Sequence, residues 1–411
     1  MDCIKIKPSK LKGKLFIPPS KSLSHRAIIC ASLSEGEEES IINNLILSED
    51  INATIDGMKK LGAEISISGN KACIKRSHKI EQNPVIDCRE SGSTLRFLIP
   101  ISIALNNNCK FTGSNKLFER PLDAYYDIFD KQQINYKANE NSLMINGKLS
   151  SATYEIPGNI SSQFISGLLF SLPLLDGDSK LIIKGSFESK AYVDMTVDTL
   201  KKFGVNIDRI SNAFYIQGKQ RYTNIIFDVE SDYSQAAFFL VANELENGIE
   251  CVGLREASLQ GDKEIINIIK KYRSNNNKIT IDASQIPDLV PIIAVLASSK
   301  ETYTTVITNA ERLRLKESDR LKAISTELNK LGASVKESKD GLVINGKKSL
   351  IGGANVNSWN DHRIAMSLAI AATNCENDII LENHMAVKKS YPHFWEDYKS
   401  LGGAIIELNN R

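Results

Sequence analysis

One ending recurs along this chain of 411 residues: a helical pattern closes on a basic residue, an apolar residue and a glycine, and a two-stranded turn follows. The copies are Met58-Lys59-Lys60-Leu61-Gly62-Ala63, Leu200-Lys201-Lys202-Phe203-Gly204-Val205, Leu328-Asn329-Lys330-Leu331-Gly332-Ala333 and Tyr398-Lys399-Ser400-Leu401-Gly402-Gly403. Weaker copies stand at Phe129-Asp130-Lys131-Gln132-Gln133 and Ile269-Lys270-Lys271-Tyr272. The glycines suit the position just past a helix, where a left-handed backbone closes the last turn. Several copies run on to a matching second strand, Leu143 to Gly147, Phe214 to Gly218 and Leu342 to Gly346. A spacing of about 70 residues is too long for a simple solenoid and right for a small βαβ-type unit. Six units predict an α/β chain of two domains with three units each, in keeping with a length beyond one ordinary core.

Composition narrows the function. With 42% hydrophobic and 24% charged residues this is ordinary globular material. A net charge of +2 and the lack of a long basic run point to small anionic ligands and exclude nucleic acid as a partner. Met1 to Lys7 alternates like a strand and has no signal-peptide core. No apolar run approaches membrane-spanning length, so no membrane partner is expected. Seven scattered cysteines without CxxC spacing predict free thiols in a reducing cytoplasm. Neither they nor the five histidines predict a metal site, and no cofactor is expected.

Chemistry concentrates where apolar runs turn into helices. Pro19-Ser20-Lys21-Ser22-Leu23-Ser24-His25-Arg26 ends one strand and opens a helix, with Ser20 or Ser22 as its cap. Free N–H groups at a helix start suit an anion. Lys21 adds a point charge and Arg26 a planar fork. Arg89-Glu90-Ser91-Gly92-Ser93-Thr94-Leu95-Arg96 precedes another apolar helix, and its glycine allows close backbone approach. Arg120 stands before a helix-starting Pro121. Ser161-Ser162-Gln163 offers neutral donors at a third helix.

The second half carries Leu313-Arg314-Leu315-Lys316-Glu317-Ser318-Asp319-Arg320, in which Lys316 and Arg320 are expected to share one helix face. Asn360-Asp361-His362-Arg363 opens an apolar helix, and Lys389 adds a late cation. Asp288 lies in apolar sequence, where a carboxylate needs a partner or a task. Gathered together, Lys21, Arg26, Arg120, Lys316, Arg320, Arg363 and Lys389 would repel one another when empty. Asp288 and Glu317 are expected to be the only carboxylates among them, as candidate acid and base groups.

In this order the segments closely resemble the 5-enolpyruvylshikimate-3-phosphate synthase family of enolpyruvyl transferases, over essentially the whole chain. The strongest pieces are Ser20 to Arg26, Leu315 to Arg320 and Asn360 to Arg363. The resemblance implies two similar domains, each an inside-out α/β barrel of three βαβαββ repeats, hinged by two crossovers. One would join residues 1–18 to 229–411 and the other would span 19–228. It implies a monomer without metal or cofactor, which joins phosphoenolpyruvate to the 5-hydroxyl of shikimate 3-phosphate through a tetrahedral ketal and releases phosphate.

Carried over by motif, Lys21, Ser22, Arg26, Ser161, Ser162, Gln163, Ser189, Asp288 and Lys316 would hold shikimate 3-phosphate. Lys21, Gly92, Arg120, Gln163, Arg320, Arg363 and Lys389 would hold phosphoenolpyruvate. Lys21 and Glu317 would move protons, with Asp288 as the competing base. The chain departs from the common pattern at Glu90, Ser93, Phe97, Ala191 and Arg312. A UDP-N-acetylglucosamine enolpyruvyl transferase, the alternative, would carry a loop cysteine ahead of Arg120, and Gly113 to Glu119 has none. A non-catalytic anion-binding relative would bind the ligands without turnover.

Overall fold

Gly62, Gly204, Gly332 and Gly402 hold φ angles of 94°, 83°, 90° and 94°, so each recurring ending does stop its helix with a left-handed residue. Strands start within three residues, at Ala63, Ile207, Ser334 and Ala404. In the copy at 129–133, Gln133 takes the same left-handed place at 56°. The computed structural model describes residues 2–77, 79–105, 108–273 and 277–408. Its residues group into two compact units, Pro19–Glu230 and the pair of segments Met1–Pro18 and Ser231–Arg411.

The unit Pro19–Glu230 carries helices α1 (Lys21–Leu33), α2 (Glu49–Lys60), α3 (Gly92–Leu105), α4 (Asn115–Phe118), α5 (Asp123–Gln132), α6 (Ser162–Ser171) and α7 (Lys190–Lys202). Three four-stranded sheets surround them. In one, Thr153–Pro157 runs parallel to Ser179–Lys184 with α6 crossing between. After α7, the hairpin of Ile207–Ile210 and Ala213–Ile216 adds antiparallel. Val85–Asp87, Asn108–Thr112 and the hairpin 135–146 repeat that order around α3. The third sheet is completed by the last strand, Ile226–Asp228, beside Ser40–Asn43. α1, α3 and α6 are buried almost all round, as helices enclosed by sheets must be. Gly167 lets α6 approach α3, because a Cβ there would stand 2.4 Å from the Arg96 carbonyl oxygen.

The other unit holds α8 (Tyr233–Glu244), α9 (Ile265–Lys271), α10 (Val290–Ser298), α11 (Arg320–Lys330), α12 (His362–Ala372) and α13 (Phe394–Ser400). Two sheets follow the same order, one of strands 278–282, 304–308, 341–345 and 334–338, the other of 355–357, 379–382, 3–7 and 404–408. Ile4 and Ile6 of the first strand are fully buried. The third repeat differs from expectation. Gly248–Val252 pairs only with Lys12–Phe16, and among the described residues no hairpin follows α9. Instead the Asn243 side chain holds both the N–H and the C=O of Ile249, at 2.8 Å each. That amide satisfies backbone groups which a further strand would otherwise pair.

Candidate active site

The helices of Pro19–Glu230 bring its candidate residues to their N-terminal ends. Ser20, not Ser22, caps α1, accepting the Leu23 N–H. Lys21 pairs with Asp50 of α2 at 2.8 Å, with both side chains largely buried. Arg26 is buried beneath it. Its Nε donates to Thr196 Oγ1 at 2.8 Å, Nη1 to the Ser22 carbonyl at 2.6 Å and Nη2 to the Tyr192 carbonyl at 2.7 Å. Burial lowers its pKa to about 10. Ser189, left-handed at φ 49° and buried, precedes α7.

A second group forms around Gly92, the first residue of α3. A Cβ at Gly92 would lie 3.0 Å from Arg96 Nη1, 3.1 Å from Arg120 Nη1 and 3.4 Å from Gln163 Oε1. Gln163 Nε2 donates to Ser93 Oγ at 3.0 Å. Ser161 caps α6 and Ser162 is its buried first residue. Helix α5 starts at Asp123, so Pro121 precedes the helix rather than starting it. A buried hydroxyl chain links the groups. His25 Nδ1 meets Thr54 Oγ1 at 2.7 Å, Thr54 meets Thr94 at 2.7 Å, and Thr94 donates to Ser91 Oγ at 2.8 Å. Burial, with Lys21 and Arg26 adding to it, holds the His25 pKa well below the usual histidine range.

In the unit made of Met1–Pro18 and Ser231–Arg411, Arg320 is the centre. The residue is 1% exposed, and its guanidinium reaches three carboxylates, each at 2.8 Å: Asp288 through Nη1, Glu317 through Nη2 and Asp361 through Nε. Asp288 also receives Arg363 at 3.2 Å and lies 3.9 Å from Lys316. Burial acts to raise the Asp288 pKa, but Arg363, Lys316 and Arg320 outweigh it and hold the carboxyl well below its ordinary value. Burial brings Lys316 down to about 8, although Asp288 opposes the shift. Asp361 caps α12 by accepting the Arg363 N–H at 2.9 Å. Lys389 donates to the Asn360 carbonyl at 2.5 Å. Asp262, bonded to the Ser234 hydroxyl, is pushed up to about 6, first by burial and then by Asp288.

Three expectations change. Lys316 and Arg320 do not share a helix face: α11 starts at Arg320, Asp319 caps it and Lys316 is extended. They converge on Asp288 all the same. Asp288 and Glu317 are not the only carboxylates, since Asp361, Asp262 and Asp50 join the cations. Lys21, Lys316, Arg320 and Arg363 therefore do not simply repel their neighbours, because carboxylates pair with them. Sequence reasoning missed Arg96, although its spacing of four from Gly92 puts both on one helical face. It also missed Asp50 and Asp262, which carry no periodic signal.

Fold and charge together define a class: α/β proteins of βαβαββ repeats whose helix N-termini are loaded with buried arginine and lysine. A family model described as EPSP synthase (3-phosphoshikimate 1-carboxyvinyltransferase) matches residues 5–398. The 3-phosphoshikimate 1-carboxyvinyltransferase of Clostridium novyi (strain NT) is 51% identical, with 99% of each chain covered. That of Clostridioides difficile (strain 630) is 48% identical, covering 100% of this chain and 99% of its own. The solved EPSP synthase of Acinetobacter baumannii shares the fold, with a TM-score of 0.80 at 23% identity over all of both chains. The chain belongs to the EPSP synthase family.

Proposed function

We propose that this chain transfers the 1-carboxyvinyl group of phosphoenolpyruvate to the 5-hydroxyl of shikimate 3-phosphate, within the shikimate pathway that leads to chorismate and the aromatic amino acids. The observation that carries the reading at the site is Asp288, a half-buried carboxylate that meets Arg320 and Arg363 directly and has Lys316 at 3.9 Å. In the first step the 5-hydroxyl oxygen bonds to C2 of the enol and gives up its proton while C3 gains one. The resulting ketal then breaks its bond to phosphate, and C3 returns a proton as the double bond re-forms. No net proton or electron is needed from outside.

Each charge has a task. Arg320, Arg363, Lys389, Lys21, Arg120, Gln163 and the Gly92 backbone hold the anionic groups of phosphoenolpyruvate. They stabilise the negative charge that collects on departing phosphate. Arg26, Ser22, Ser161, Ser162, Gln163, Ser189, Lys21 and Lys316 hold shikimate 3-phosphate. Asp288, with its depressed pKa, is a poor base at neutral pH. It therefore accepts a hydrogen bond from the 5-hydroxyl and orients it, while Lys21 and Glu317 carry the protons. The enzyme works as a monomer in the cytoplasm, a location supported by its free thiols. Phosphate release with both substrates tests this, with UDP-N-acetylglucosamine as control acceptor. Release with the shikimate ester alone, strongly reduced in Glu317→Gln, is expected. No release from folded protein with either acceptor leaves only a ligand-binding relative.

A further inference from the structure

Two consecutive non-glycine residues, Trp359 and Asn360, hold φ angles of 55° and 53°. A bulky aromatic residue seldom enters this region, and a backbone held there needs support from its surroundings. The turn stands directly ahead of α12. Its last carbonyl receives Lys389 at 2.5 Å. The next residue, Asp361, receives the Arg363 N–H at 2.9 Å and Arg320 Nε at 2.8 Å. The turn therefore bears directly on the Lys389 and Arg320 side chains and on the backbone from which Arg363 projects.

The support comes from Glu327, seven residues along α11 from Arg320 and 1% exposed. Its Oε1 accepts the Trp359 indole N–H at 2.8 Å. Its Oε2 accepts the Asn357 N–H at 3.0 Å and Lys330 Nζ at 2.7 Å. Asn357 Oδ1 in turn accepts the Trp359 N–H at 2.6 Å. A buried carboxylate persists only where its oxygens are satisfied, and these are satisfied by the turn together with Lys330.

We propose that Glu327 is a positioning residue for the enolpyruvyl transfer. It fixes the Trp359–Asn360 turn through the indole and backbone donors, and the turn holds Lys389 and Arg363 in the geometry that the anionic groups of phosphoenolpyruvate require. The inference rests on the reading that Lys389 and Arg363 hold that substrate.

Steady-state kinetics of the full chain test it, with Glu327→Gln, Trp359→Phe and the double variant Glu327→Gln/Asn360→Gly, and Lys389→Ala as reference. In Glu327→Gln and Trp359→Phe the KM for phosphoenolpyruvate rises about tenfold, while that for shikimate 3-phosphate stays within about twofold. Asn360→Gly restores most of the loss in the double variant, because glycine adopts a left-handed backbone without an anchor. Lys389→Ala also raises the phosphoenolpyruvate KM. The inference is overturned if Lys389→Ala raises that KM and neither Glu327→Gln nor Trp359→Phe does. It is equally overturned if both KM values shift together with the thermal midpoint and glycine restores nothing. An unchanged KM in Lys389→Ala removes the substrate assignment itself, and this role with it.

Discussion

Arg320 Nη1 donates to Asp288 Oδ1 across 2.8 Å, tying the first residue of α11 to the short 3-10 turn that precedes α10. Arg320 is buried and Asp288 half-buried, and the second carboxylate oxygen is taken by Arg363. Asp288→Ala leaves two guanidinium groups without their shared acceptor. Removing one partner of a buried ion pair costs about 3 to 5 kcal/mol. Urea unfolding of the variant should show a loss of that order, together with a fall in turnover. Asp288→Asn keeps one acceptor oxygen and should unfold with a smaller loss. Equal stability for wild type and Asp288→Ala would show that the pair holds nothing together.

Lys316 sets an alkaline limit. Burial lowers its pKa to about 8, so it is charged at neutral pH and loses its proton as pH rises through that value. The KM for shikimate 3-phosphate should climb above pH 8. Lys316→Arg, charged throughout that range, should flatten the climb whatever its effect on absolute rate. A profile unchanged by the arginine would assign the limb to another group.

Gly92→Ala separates stability from binding. Gly92 has an ordinary negative φ at the start of α3, so alanine fits the backbone and favours the helix by up to about 1 kcal/mol. The added methyl presses on the ends of Arg96 and Arg120, which are flexible side chains that can give way. The thermal midpoint should hold or rise while the KM for phosphoenolpyruvate increases. A fall in both stability and affinity would mean that the arginines cannot move.

His25 makes the fold sensitive to acid. Its folded pKa lies below the unfolded value, so below about pH 6.5 the unfolded chain binds the proton that the folded chain refuses. Stability is therefore fully present above that pH and declines on acidification, by at most about 1.4 kcal/mol per pH unit from this group. Denaturant unfolding at pH 7 and pH 5 should show a larger loss for wild type than for His25→Asn. Parallel losses would mean that the histidine stays neutral in both states or charges in both.

The repeat was readable because a backbone requirement left its mark on residue type. Gly62, Gly204, Gly332 and Gly402 are glycines since the chain turns left-handed there, and that demand is local. Helix starts were readable for the same reason, through caps such as Ser20, Ser161 and Asp361. The pairing of charges was not. Asp288 lies 32 residues from Arg320 and 75 from Arg363, and nothing in the intervening sequence indicates that they meet. The shortened third repeat escaped notice because Ile269 to Tyr272 still ends a helix in the expected way. Among the described residues it lacks the hairpin after it, which only the sheet pairing reveals. Glu327 stands on an amphipathic helix without any sequence signal for the Trp359 and Asn357 donors that meet its oxygens.

The strand Cys3–Lys7 sits between Ile379–Glu382 and Ala404–Leu408, so a central piece of one sheet lies more than 370 residues before both its neighbours. Pro19–Glu230, by contrast, is a continuous stretch whose last strand is Ile226–Asp228. On the ribosome that stretch can fold as soon as it emerges. The strand Cys3–Lys7 has to wait until Ala404–Leu408 has been made, roughly 20 to 80 s later at typical rates of synthesis. During that wait Ile4 and Ile6 have no partners and are open to capture by a chaperone.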